Sequence, residues 1–169
     1  MQKVVIIFFL ALAINGCERA NGEYQAEFVQ DGDSVVICCE QGETFIVRLR
    51  DIDAPEKQQP YAEQSRDFLR QLLQDQTFKL KGLETDRYGR RLVDIILVDK
   101  QSLEQYSVNK LMIESGSAWV WRYSNDYKLR YIQKQARDEK KGLWALPESQ
   151  RLEPWLWREQ YRRNKKSQK

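Results

Sequence analysis

Histidine is absent from all 169 residues of the chain. Its absence excludes Ser-His-Asp triads, Cys-His pairs and two-histidine acid–base sites. Any general base must then be a carboxylate, a Lys, a Tyr or a water held by a metal. Cysteine is scarce, with three in the chain and no CxxC spacing, so a structural zinc site is excluded as well. Cys38 and Cys39 are adjacent, and neighbours in a strand face opposite sides. A disulfide between them would need strained geometry, so at least one thiol is expected to be buried as a small hydrophobe. Long apolar runs are missing too. The longest, "VVIIFFLALAI", has eleven residues and is too short to span a bilayer comfortably.

That run, with "MQK" before it and "NGC" after it, has the proportions of a secretory leader over residues 1–16. "INGC" resembles a bacterial lipoprotein processing site, which would make Cys17 a lipidated first residue and a membrane tether. Asn15 is unusual in that pattern, so ordinary cleavage nearby is the alternative. The expected destination is export: secreted, periplasmic or membrane-anchored. Residues 17–23 read as a polar tether, 24–146 as one domain, and 147–169 as a Trp-containing extension with a basic tail. Charged residues make up 31% and hydrophobic ones 41%, as in a soluble globular protein. The net charge of +3 says little, but its distribution says more. Carboxylates outnumber bases in residues 17–119, and bases outnumber carboxylates in 120–169. A metal-binding cluster could therefore sit beside a surface that attracts polyanions. The tail "RRNKKSQK" by itself reads as a solvated, frayed end.

From Tyr24 the pattern becomes strand-like: "YQAEFV", "SVVICC" and "TFIVRLR", the last two joined by "EQGE" as a hairpin. A helix is predicted over Tyr61–Gln74, where Ser65, Phe68, Leu69, Leu72 and Leu73 share a face. "TFKLK" and "RLVDIILV" are further strands, with "ETDRYGR" as the loop between them. Shorter helices are predicted at Val108–Ser115 and at Tyr127–Lys141, the latter stopped by Gly142. Five strands with about three helices point to an α+β, mainly β fold, a five-stranded OB-type barrel with helices packed on it.

The candidate acids concentrate in "DGDS" at 31–34 and "DIDAPE" at 51–56, one at a strand start and one past a strand end. A barrel could bring them together. Asp33 and Asp53 would then make a hard oxygen site suited to Ca²⁺, completed by a backbone carbonyl and waters. An EF-hand is excluded: counting from Asp31, Val36 stands where Gly is needed and Gly42 where Glu is needed. Arg48 and Arg90, in "RLRDIDAPE" and "DRYGR", could bind phosphate oxygens bidentately and stabilise a five-coordinate phosphorus. Either arginine alone reads as a surface ion pair, and only the set of two acids, Glu56 and both arginines weighs phosphate chemistry evenly against that reading; Arg50 and Asp51 read as surface charges.

The order "DGDS", "RLRDIDAPE", "TDRYGR" and a helix ending in "KKGLW" resembles the thermonuclease family, typified by micrococcal (staphylococcal) nuclease. The resemblance runs from about Val29 to Trp144, and "PWLWR" at 154–158 resembles an extension of many bacterial members. It implies Ca²⁺ on Asp33, Asp53 and the backbone carbonyl of Ala54, which stands where the best-known member has threonine. It makes Arg48 and Arg90 the phosphate-binding pair and Glu56 the carboxylate that activates water. Arg87 and Tyr88 fall where the family contacts a terminal phosphate, and Tyr123 is matched to a nucleotide-stacking tyrosine. The implied activity is endonucleolytic cleavage of DNA and RNA to 3′-phosphate ends, by a monomer. The rival class is a catalytically inactive OB-type module that binds nucleic acid or protein. Asp53 and Glu56 discriminate, because bare acids facing phosphates would repel them unless a cation lay between.

Overall fold

The computed structural model describes residues 23–40 and 43–167. The expected leader, the lipid on Cys17 and nearly all of the tether lie outside the described residues. In chain order the elements are Gln25–Val29 (β1), Ser34–Glu40 (β2), Glu43–Leu49 (β3), Ile52–Asp53 (β4), Ala62–Leu73 (α1), Phe78–Thr85 (β5) and Arg91–Val98 (β6). Gln105–Ser107 (β7), Val108–Glu114 (α2), Trp119–Val120 (β8), Tyr127–Asp138 (α3) and Pro154–Ser167 (α4) follow, with two short 3₁₀ turns between α3 and α4.

The period-two pattern of the first strands buries Val35, Ile37, Val47 and Leu49 on one face. β1, β2 and β3 pair antiparallel, and β3 then pairs in parallel with β6, whose other neighbours are β5 and β7. A bridge between Tyr24 and Phe78, closed by hydrogen bonds of 2.8 and 3.0 Å, draws the two ends of the sheet together. The result is a curled, half-closed barrel of the expected α+β, OB-type kind. α1 packs on it through the predicted face: Ser65, Leu69 and Leu73 are buried, and Phe68 and Leu72 are half-buried against the core.

Three short strands and one helix carry no clear sequence signal. β4 and β8 form a separate two-stranded ladder, too short for any periodicity to register. The basic tail is also corrected. Its described part, residues 162–167, is the exposed end of α4, whose start is anchored by buried Pro154 and by Trp155. Trp155 joins a second apolar cluster around Trp119, Ala136, Leu143 and Trp144. α3 ends before Lys141, because Lys140 and then Gly142 take positive φ, and a Cβ at Gly142 would collide with the Gly116 backbone. Cys38 is half-buried and disulfide-bonded, while the expectation for Cys39 falls on a side chain outside those described.

Candidate active site

The turn "DGD" is pressed against the core because Gly32 has no side chain. A Cβ there would run into Ser65 Oγ of α1 and Ala54 Cβ. Ser65 is itself held by a 2.7 Å hydrogen bond to the Ser117 carbonyl. Asp33, 6% exposed, accepts a hydrogen bond from the Ala54 N–H at 2.7 Å, and its carbonyl accepts the Leu49 N–H at 2.8 Å. Asp31 caps the turn by accepting the Asp33 N–H at 3.0 Å. The two acidic motifs therefore meet through backbone as well as side chains.

Ser34 faces Arg48 across the β2–β3 ladder, which turns the Arg48 guanidinium onto both carboxylates. One end pairs with Asp33 Oδ1 and the other with Asp53 Oδ1 at 2.9 Å. Asp53 is fully buried on β4. The bend that delivers it is fastened by Asn109, also buried, whose side chain donates to the carbonyls of Arg50 (3.0 Å) and Val93 (2.9 Å). Arg50, read as a surface charge, pairs with Asp94 at 2.6 Å.

Arg90 belongs to the same site at one remove. Asp86 accepts hydrogen bonds from the backbone N–H groups of Tyr88 and Arg90 and from the Arg90 guanidinium, at 2.8 to 3.0 Å. This fixes the loop so that Arg90 Nη1 reaches Ser34 Oγ at 3.5 Å, and that hydroxyl donates to Asp33 at 3.2 Å. Burial opposes its ionisation, but those Arg90 and Tyr88 donors hold the Asp86 carboxyl below its ordinary value. Tyr88, 69% exposed, carries the guanidinium groups of Arg87 and Arg90 over its ring at 4.9 and 5.7 Å. Arg87, Tyr88 and Arg90 thus form one rim. Tyr123 stands apart from it, exposed, stacked edge-on with Trp121 and covered by Arg122. Its link to the rest runs through Arg122, 3.8 Å from Glu159 on α4.

Glu56 follows buried Pro55, and its backbone N–H donates to Gln59 Oε1 at 3.0 Å. Its carboxylate meets a residue that sequence reasoning missed. Arg158, on α4, grips both oxygens of Asp53 at 3.1 and 2.7 Å and donates to Glu56 at 2.5 Å. Gln59, from the Glu56 loop, donates to the Leu152 carbonyl and ties this loop to the approach of α4. The "PWLWR" stretch carried the only signal, and nothing in it pointed at Asp53.

The electrostatics are those of a carboxylate cluster short of positive charge. Burial pushes the Asp31 carboxyl up to about 7, and the neighbouring charge of Asp33 pushes the same way. Asp53 is raised by burial, against the pull of Arg158. Burial works against the charge of Arg48 and of Arg158, but their carboxylate partners outweigh it, and both are held above the ordinary arginine value. Among the described residues no three His, Cys, Asp or Glu side chains converge on one point. A cation here would have two carboxylates, backbone and water as ligands.

A curled barrel whose strand ends gather acids and arginines in this order defines a class. The profile described as "Staphylococcal nuclease homologue" matches residues 46–146, and the chain belongs to that family, whose members hydrolyse nucleic acids. Among its relatives, an "Uncharacterized endonuclease" of Escherichia coli O157:H7 is 35% identical over 131 residues, 77% of this chain and 80% of that protein. A "Micrococcal nuclease" of Shigella flexneri is 34% identical over 145 residues, 80% of this chain and 81% of that one. An "Uncharacterized endonuclease" of Haemophilus influenzae is 29% identical over 166 residues, 96% of this chain and 89% of its own.

Proposed function

We propose that the protein is a calcium-dependent, largely non-specific endonuclease that cleaves DNA and RNA to 3′-phosphate products. The observation that carries this reading is the Arg48 guanidinium bridging Asp33 and Asp53. Two carboxylates that share one guanidinium are close enough to share one cation, and all their donor atoms are oxygen, as Ca²⁺ requires. Asp33, Asp53 and the Ala54 carbonyl would hold it. When bound, Ca²⁺ would supply Lewis-acid polarisation of a non-bridging phosphate oxygen.

The chain's own residues do the rest. Glu56 takes a proton from the attacking water, whose oxygen forms a bond to phosphorus. The bond from phosphorus to the 5′ oxygen breaks, and that oxygen takes a proton from solvent water and leaves as a 5′-hydroxyl, so the phosphate remains on the 3′ side. Arg48 and Arg90 donate to the phosphate oxygens, whose charge grows as phosphorus becomes five-coordinate. Arg87 and Tyr88, on the Arg90 rim, are suited to a terminal phosphate, and exposed Tyr123 to a base. Export by the 1–16 leader, with a lipid on Cys17 and action as a monomer, belongs to the same proposal. Mass spectrometry of the mature N-terminus tests the lipid.

Purified protein is expected to degrade single-stranded DNA and RNA with Ca²⁺ and to stop with a chelator. Activity that persists in chelator would sink the metal assignment. The hold of Arg158 on Asp53 and Glu56 favours a second reading, an inactive binding module. Binding of oligonucleotides without turnover in Ca²⁺ would establish that reading instead.

A further inference from the structure

α4 and the loop after β4 flank an open cavity of about 410 Å³ directly beside Glu56. Its walls are Lys57 and Gln58 from the loop and Trp157, Arg158, Tyr161 and Arg162 from the helix. On a helix, residues four apart lie one above the other. Trp157 and Tyr161 therefore form one aromatic column, and Arg158 and Arg162 a cationic one beside it. The helix has a structural tryptophan already: Trp155 packs into the second apolar cluster, whereas Trp157 belongs to neither cluster of described residues. Tyr161 is 61% exposed. Aromatic faces left toward solvent beside three cations are suited to a ligand that is both planar and anionic.

We propose that this cavity is a nucleotide subsite, which binds a nucleotide of a single strand next to the scissile phosphate on the Glu56 side. Its base stacks on Trp157 and Tyr161, and its phosphate is held by Lys57 and Arg162. The inference rests on the nuclease reading and extends it to a part of the chain beyond the family match, which ends at residue 146. The volume lies within the usual range of small-molecule sites. Base–aromatic stacking tolerates any base, in keeping with a non-specific substrate. The helix is also held in register with the chemistry. Arg158 pairs with Glu56 at 2.5 Å and with Asp53 at 2.7 Å, and Gln59 donates to the Leu152 carbonyl just before the helix. A strand crossing Glu56 would meet α4 without any rearrangement of the barrel.

The test uses the full chain and a fluorescein-labelled ten-residue oligothymidylate, with binding read by anisotropy in chelator so that nothing is cut. Trp157→Ala with Tyr161→Ala should weaken binding about ten-fold or more, and Phe at both positions should restore it. In Ca²⁺ the same Ala pair should lose efficiency through KM rather than kcat. Exposed Arg162→Ala, which threatens no packing, should lower the slope of log affinity against log salt by about 0.7. Unchanged affinity in the double variant, with an unchanged salt slope for Arg162→Ala, overturns the subsite and leaves the nuclease reading standing. A wild-type protein that neither binds nor cuts the oligonucleotide removes both.

Discussion

Two arginines hold Asp53, and they reach it from very different parts of the molecule. Arg48 comes from β3, inside the sheet, with a side chain 14% exposed, and bridges Asp53 to Asp33. Arg158 comes from α4, 105 residues along the chain, with a side chain 38% exposed. The first pair lies inside the barrel, and Arg48 can turn from these carboxylates to phosphate only when a cation takes its place between them. The second is made by a solvated helix face and can be exchanged for another cation or for phosphate. The same ion-pair chemistry is thus costly to break in one place and cheap to break in the other, because the two differ in desolvation.

The largest effect expected lies in turnover. Glu56→Gln should lower it by about 10²–10⁴-fold, the usual worth of a general base. Arg90→Ala should lower it by a similar order, with circular dichroism unchanged in both. Near-wild-type rates in both would mean that the chemistry does not lie at the mouth that Arg48 and Arg158 share.

Stability should separate the two arginines. Arg48→Ala strands Asp33 and Asp53 and should cost about 3–5 kcal/mol by urea unfolding in chelator. Arg158→Ala should cost about 1 kcal/mol or less, since its pairs are partly screened. It should also tighten Ca²⁺ binding measured by calorimetry, since it removes a cation that competes for Asp53. Equal losses of stability would erase this distinction between the two pairs.

The smallest effect is in pH dependence. Folded Asp31 keeps a proton up to about 7 that the unfolded chain releases near 3.8. In chelator, stability should therefore fall as pH rises through that window, by at most about 1.4 kcal/mol per unit from this group. Ca²⁺ should flatten the fall, because a cation relieves the repulsion between Asp31 and Asp33. Thermal unfolding from pH 4 to 8, with and without Ca²⁺, reads this directly. A flat profile in chelator would mean that Arg48 already neutralises the cluster.

Much of this protein is legible in the order of its residues. The helical spacing of Ser65, Leu69 and Leu73 and the alternation through Val35 and Ile37 report burial on one face, which is a local property. Missing histidine narrows the chemistry, and the order of Asp33, Arg48, Asp53, Glu56 and Arg90 along the chain carries the resemblance on which the candidate site was chosen. The short strands β4 and β8 are not legible in this way because two residues carry no period, although their ladder positions Asp53 against Trp119. The helical nature of the tail is hidden too, since a run such as "RRNKK" reads as solvated whether or not it is coiled.

By itself, then, the sequence determined which residues could perform chemistry and which segments would form the barrel, since charge, hydrogen-bonding capacity and periodicity belong to the residues and their neighbours. Only the tertiary structure decided that "DGD" would press against Ala54 through Gly32, and that α4 would lay Arg158 on Asp53 and Glu56. Those contacts join segments far apart in the chain, and their partners are chosen by how the barrel closes and where the helix docks.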